Sequence, residues 1–180
     1  MVDTARTIDY LLDSVFQDGQ VDNSINAQDL RDLIVSLRSS FGGCGMTENA
    51  VETVIASAGT PAVVLGTTTE TSSSDDVTVG NNRITYTGIN PKRFVITSHV
   101  SVLGASNNIL IGIQIAHNGT PIGYPTKRKI ATGADEGAIS VVADITLNQN
   151  DYVELFAFNK TSAANIIVED GILFMAGLVL

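Results

Sequence analysis

Four isoleucines, Ile109, Ile111, Ile113 and Ile115, alternate with Leu110, Gly112 and Gln114. Successive side chains of a strand point to opposite faces, so this spacing lays one continuous apolar row along one side of a sheet. Ile139, Val141, Ala143, Ile145 and Leu147 make a second row of the same kind. Both rows are rich in β-branched residues, which favour the pleated backbone. Residues 82–180 hold further short apolar runs of this type, closed by turn signals such as Gly88-Ile89-Asn90-Pro91 and Asn118-Gly119. About eight to ten strands with a turn every eight to twelve residues predict an antiparallel sandwich, for which a jelly roll is a common solution.

The segment before these rows is weaker in pattern. Residues 51–56 and 61–65 read as first strands. Residues 67–76 (TTTETSSSDD) are the most polar stretch, an exposed loop or a strand solvated on one face. The long strands are expected at 94–103, 109–117, 138–147 and 152–158, with the basic run Lys127-Arg128-Lys129 in a connecting segment over 124–137.

The N-terminal residues follow a helical period instead. Ile8, Leu11, Leu12, Val15 and Phe16 fall at spacings of three and four, which gives one apolar stripe over residues 7–16. A second helix is predicted from Asn26 to about Phe41. Asn26 is a suitable N-cap, and Asp29 at the third helical position meets the positive end of the helix dipole. Leu30, Leu33, Ile34, Leu37 and Phe41 form its stripe. Two helices this short are marginal alone, so their stripes need another surface. Gly42-Gly43-Cys44-Gly45 reads as a hinge, which divides the chain into residues 1–45 and 46–180.

The last run, residues 172–180, is apolar on both faces. Such a strand is central in its sheet. The outer face of a lone sandwich should be polar, so the simplest cover for Leu173, Met175 and Val179 is a neighbouring subunit. These three are the candidate trimer-interface residues.

Composition limits the function. The formal net charge is −9, which argues against nucleic-acid binding as the main role, since phosphate contacts need a basic surface. No apolar run approaches the roughly 18 residues of a membrane span, so no membrane partner is expected. Cys44 is the sole cysteine and cannot form an intrachain disulfide. With no histidine or cation beside it, it reads as an inert small residue.

The order of features in residues 82–180 resembles the C1q/TNF-like jelly-roll superfamily. The residues that carry the resemblance are RITYTG, RFVITSHVSV, the turn HNGTPI, the element ISVVADITLNQNDYVELFAF, and an apolar final strand with Phe174 and Gly177. Asn150 stands where the family usually has glycine, and asparagine tolerates the same left-handed turn. The resemblance implies a tight homotrimer with the C-terminal strands packed about the three-fold axis. The N-terminal run is similar to a two-helix segment that opens many tailed-bacteriophage structural proteins. Its I-x-A-Q-D-L-R-D pattern is present as Ile25, Ala27, Gln28, Asp29, Leu30, Arg31 and Asp32. Together the two resemblances imply a virion protein made in the host cytoplasm: a head-fibre, capsid-decoration or tail-fibre subunit. It would dock on another virion protein through residues 7–41, with Leu30, Leu33, Ile34 and Leu37 as anchors. The alternative is a receptor- or glycan-binding adhesin of a tail fibre or spike, with a host-surface glycan as partner.

No catalytic constellation appears, and no enzyme activity or cofactor is expected. Ser98 and His99 are strand neighbours whose side chains diverge, so they make no nucleophile–base pair. His99 and His117 lack a third metal ligand. Asp75-Asp76 and Asp135-Glu136 offer hard oxygen donors for calcium, without the full spacing of a calcium loop. Lys127-Arg128-Lys129 could meet an acidic neighbour or an anionic glycan, or be a solvated loop.

Overall fold

The computed structural model describes residues 26–36, 39–132 and 135–178. The chain forms two compact units, one of residues 1–39 with 178–180 and one of residues 40–177. The predicted helix at 7–16 lies outside the described residues, as do Leu37 and Val179.

Within the first unit, Ala27–Ser36 is an α-helix, α1. Its start is built as the sequence suggests. Asn26 Oδ1 accepts the amides of Gln28 at 2.7 Å and Asp29 at 3.2 Å, and Asp29 Oδ2 accepts the Asn26 amide at 2.9 Å. This reciprocal cap satisfies backbone donors that have no partner inside the helix.

The second unit is a sandwich of two antiparallel sheets. Six strands make sheet one: β1 (Phe41–Met46), β2 (Glu52–Thr53), β4 (Thr69–Ser73), β7 (Lys92–Gly104), β11 (Glu136–Leu147) and β13 (Ile166–Gly177). Its order is β11-β7-β13-β1-β4, with β2 on the end of β13. Seven strands make sheet two: β3 (Ala62–Val63), β5 (Val77–Gly80), β6 (Arg83–Tyr86), β8 (Ile109–His117), β9 (Thr120–Pro121), β10 (Thr126–Ile130) and β12 (Tyr152–Asn159). Its order is β10-β8-β12-β6-β5, with β3 on β12 and β9 on β8.

The two rows of alternating residues face each other across the core. Ile109, Ile111, Ile113 and Ile115 of β8 are buried, as are Ile139, Val141, Ala143 and Leu147 of β11. Asn118 and Gly119 both have positive φ and turn β8 into β9, the backbone that an Asn-Gly hairpin requires. Asn150 also has positive φ.

Two expectations are corrected. The hinge at 42–45 is a strand: β1 lies between β13 and β4 in sheet one. Its glycines serve close packing. A Cβ on Gly42 would sit 2.5 Å from Val77 Cγ1, and one on Gly43 would sit 2.6 Å from Thr71 Oγ1. The sandwich therefore begins at Ser40, and the helical reading could not extend to Phe41. The polar stretch 67–76 holds the exposed strand β4, in keeping with the second of the two readings given for it. The second correction concerns β13, which is central as expected, between β7 and β1. Leu173 and Met175 point into the chain's own core, not outward. A β-bulge between Val168 and Asp170 causes this. Ile166 and Val168 are buried before it, Leu173 and Met175 after it. The extra residue inverts the phase of the alternation.

Candidate functional site

The outer face of sheet one is the broadest candidate surface. The strand register places its side chains in rows. Ser140 of β11, His99 of β7 and Ile172 of β13 form one. Val142, Thr97, Phe174 and Gly43 form the next, and Asp144, Val95, Ala176 and Phe41 the third. Val142 is 62% exposed and Ile172 39%. Val142 lies on the edge strand β11 and Ile172 on the central strand β13, with half-buried apolar residues between and beside them, an arrangement suited to a contact surface. The residues available to a neighbour are thus Ile172, Phe174 and Ala176. The sequence had suggested their strand neighbours.

Charges sit on one border of this face. Arg93 donates from Nε to Asp144 Oδ1 at 2.8 Å and pairs with Oδ2 through Nη2. Their hydrogen bonds raise the pKa of Arg93 and lower that of Asp144. Both groups are exposed, so the pair adds little stability. Near the centre, His99 Nδ1 and Ser140 Oγ are 2.7 Å apart. Tyr124, 92% exposed, rims an open hollow of about 680 Å³ with Thr97, His99, Val142 and Ile172 along it.

The reactive-looking residues have structural partners. Ser98 points away from His99 and donates to the Ile172 carbonyl at 2.8 Å. His117 Nε2 lies 3.2 Å from Asp151 Oδ2. Burial pushes the Asp151 pKa up, but hydrogen bonds from Asn118, Asn148 and His117 outweigh it, and the net direction is down. Cys44 is buried, and burial raises its thiol pKa against a smaller opposing contact with Thr68. A buried thiol held protonated is a poor nucleophile.

The acidic pairs do not assemble as spaced in the sequence. Asp76 binds the hydroxyls of Ser40 and Ser74, and Lys92 Nζ donates to Ser40 Oγ at 2.8 Å. This network fastens the entry of β1. Asp135 accepts the amides of Ala131 and Thr132 at 3.0 and 2.9 Å. The carboxylates that do gather are Glu136, Glu169 and Asp170, within 4.8 Å of one another. Glu169 and Asp170 sit at the β13 bulge, so spacing along the chain could not reveal this group. Asp170 already accepts the Glu48 amide at 3.0 Å.

Of the expected attachment residues, Leu30 and Ile34 are 51% and 66% exposed on α1. Leu33 is half-buried. The basic run is not loop but strand: it forms β10, a sheet edge, with Lys127, Arg128 and Lys129 all exposed.

No protein-family model matches the chain, and no curated protein does. Solved structures do. Murine APRIL at pH 5.0 matches with a TM-score of 0.54 and 10% identity, over 78% of this chain and 100% of that one. The globular domain of zebrafish complement 1qA matches at 0.47 and 14% identity, over 77% and 95% of the two chains. The PRD1 vertex protein P5 matches at 0.46 and 10% identity, over 77% and 72%. At 10% identity the likeness to APRIL is one of fold alone. The sandwich of residues 40–177 is thus similar in fold to APRIL.

Proposed function

We propose that this chain is a non-enzymatic structural protein of a tailed-phage virion: a homotrimeric fibre or decoration subunit. It is held to the particle by its N-terminal helical segment and displays the jelly roll. The observation that carries attachment is α1. The helix bears the A-Q-D-L-R-D run that resembles phage structural proteins, and it leaves Leu30 and Ile34 exposed. Apolar residues at four-residue spacing are the anchors of a helix-in-groove contact. Leu33 and Leu37 belong to the same stripe by sequence. The observation that supports the trimer is the apolar outer face of sheet one, with Ile172 and Phe174 in place of Leu173 and Met175. A C1q/TNF-like fold is compatible with it.

The test is reconstitution on particles that lack the protein. A truncation must start at residue 40, because one starting at 46 deletes a central strand. Full-length protein is expected to bind, and residues 40–180 to stay in solution as a folded trimer. Equal binding by both would move the anchor into the jelly roll and defeat the attachment reading.

A further inference from the structure

The fold gathers three lysines that the sequence separates. Lys127 and Lys129 lie on β10, opposite Gly112 and Leu110 of β8. Lys160 follows β12 directly, and its amide donates to the Leu110 carbonyl at 2.8 Å. Lys160 thus continues the β12 ladder on the other side of Leu110. Ile109, Ile111 and Ile113 of β8 are in the core, as are Ala157 and Asn159 of β12. Alternation then turns Leu110, Gly112 and all three lysines to the outer face of sheet two. Standard strand geometry puts Lys127 and Lys129 about 7 Å apart, and Lys129 and Lys160 about 10 Å apart across β8.

All three lysines are exposed. Among the described residues, ion pairs form at Arg83, Arg93 and His117, while Lys127, Lys129 and Lys160 take part in none. Arg128 points to the other side of β10. A Cβ on Gly137 would lie 2.1 Å from its Nε, and its charge acts on Asp135. The chain has 10 lysines and arginines against 19 carboxylate residues, so three unpaired cations gathered on one face stand out; two of them lie on an edge strand, where lysine also guards against edge-to-edge pairing.

We propose that Lys127, Lys129 and Lys160 form a binding face for an anionic polysaccharide. Lysine ammonium groups are point charges on flexible stems, and they suit repeating anions whose exact positions vary. Lysine is depleted in the buried cores of protein–protein interfaces. That disfavours a folded acidic partner. A stiff nucleic-acid duplex would also bring its charge against the rest of an acidic surface. A flexible, sparsely charged polymer can touch this face alone, because at physiological salt the other carboxylates are screened beyond about 8 Å. The proposal stands on the single chain and needs neither the trimer nor the virion reading. In a trimer the face would occur three times and bind with avidity.

The test uses the full-length protein on immobilised dextran sulfate, a polyphosphate and a polyuronate, with uncharged dextran, poly-glutamate and duplex DNA as comparisons, from 50 to 300 mM NaCl. The polyanions also tell sulfate, phosphate and carboxylate recognition apart. Retention by at least one anionic polysaccharide is expected, falling steeply with salt, with none on dextran. The double variant Lys127→Ser/Lys129→Ser should bind at least tenfold more weakly, and Lys160→Ser several-fold more weakly. Arg31→Glu changes net charge by the same two units as the double variant and should bind like wild type. No retention by any anionic polysaccharide, equal loss in Arg31→Glu, or stronger retention by poly-glutamate or DNA would overturn the proposal.

Discussion

The two outer faces of the sandwich are built from the same alternation and differ in character. Sheet one presents Val142, Ile172, Phe174, Ala176 and Val95 among the uncharged Thr97 and Ser140, with the Arg93–Asp144 pair at the border. Sheet two presents Lys127, Lys129 and Lys160 around Leu110 and Phe158. Farther along it, Arg83 pairs with Glu154 at 2.7 Å and stacks 3.8 Å over the Tyr152 ring. An apolar face suits a contact that excludes water. A face of separated cations suits one that stays wet. The core between them is common to both, so the difference lies wholly in the residues of outward parity. That parity is set by register, and in β13 by one bulge.

The largest effect separates the two sides of β13. Met175→Glu should bury an unpaired carboxylate and destabilise the chain by several kcal/mol, on the order of the cost of burying an unpaired charge. Phe174→Glu, one residue away on the outer side, should leave the fold intact. Urea unfolding of the two variants checks this. Comparable losses would mean that the phase after the bulge is misassigned.

The next effect concerns the shared core. Ile111→Ala should cost about 2–5 kcal/mol by cavity formation. Gln114→Ala, of outward parity on the same strand, should cost about 1 kcal/mol. The glutamine Nε2 donates to the carbonyls of Ile122 and Gly123, each at 3.2 Å, a contribution typical of hydrogen bonds. A larger loss at Gln114 would contradict the assignment of β8's faces.

A smaller effect is read in alkali. Burial, and the charge of Asp76 secondarily, push the Tyr86 pKa from 10.0 up to about 12. A raised pKa means that the neutral phenol is favoured in the folded state. The resulting stability is complete below pH 10 and is lost as pH rises from about 10 towards 12. Tyr86→Phe should flatten that part of the pH–stability curve while losing the hydrogen bond from Tyr86 to the Asn90 carbonyl. An unchanged slope between pH 10 and 12 would show that Tyr86 does not titrate with unfolding.

Much of this fold was legible because period-two rows are insensitive to partners. Ile109 to Ile115 and Ile139 to Leu147 mark their faces whichever strands flank them. The cap at Asn26 and Asp29 was equally local. What could not be read depends on neighbours far along the chain. Gly42 and Gly43 look like a hinge until Val77 and Thr71 stand against them. The parity of Leu173 and Met175 depends on a bulge that no residue type announces. The lysine face needs Lys160, which is brought to Lys129 only by strand order. Leu30 and Ile34 were named from their spacing, and both are exposed.

The central claim is that the outer face of sheet one joins copies of this chain. Its most direct measurement is the mass in solution, by light scattering, of wild type and of Phe174→Glu at equal concentration. The account predicts three chains for wild type and one folded chain for the variant. A folded wild-type monomer, or a variant that remains trimeric, would contradict it.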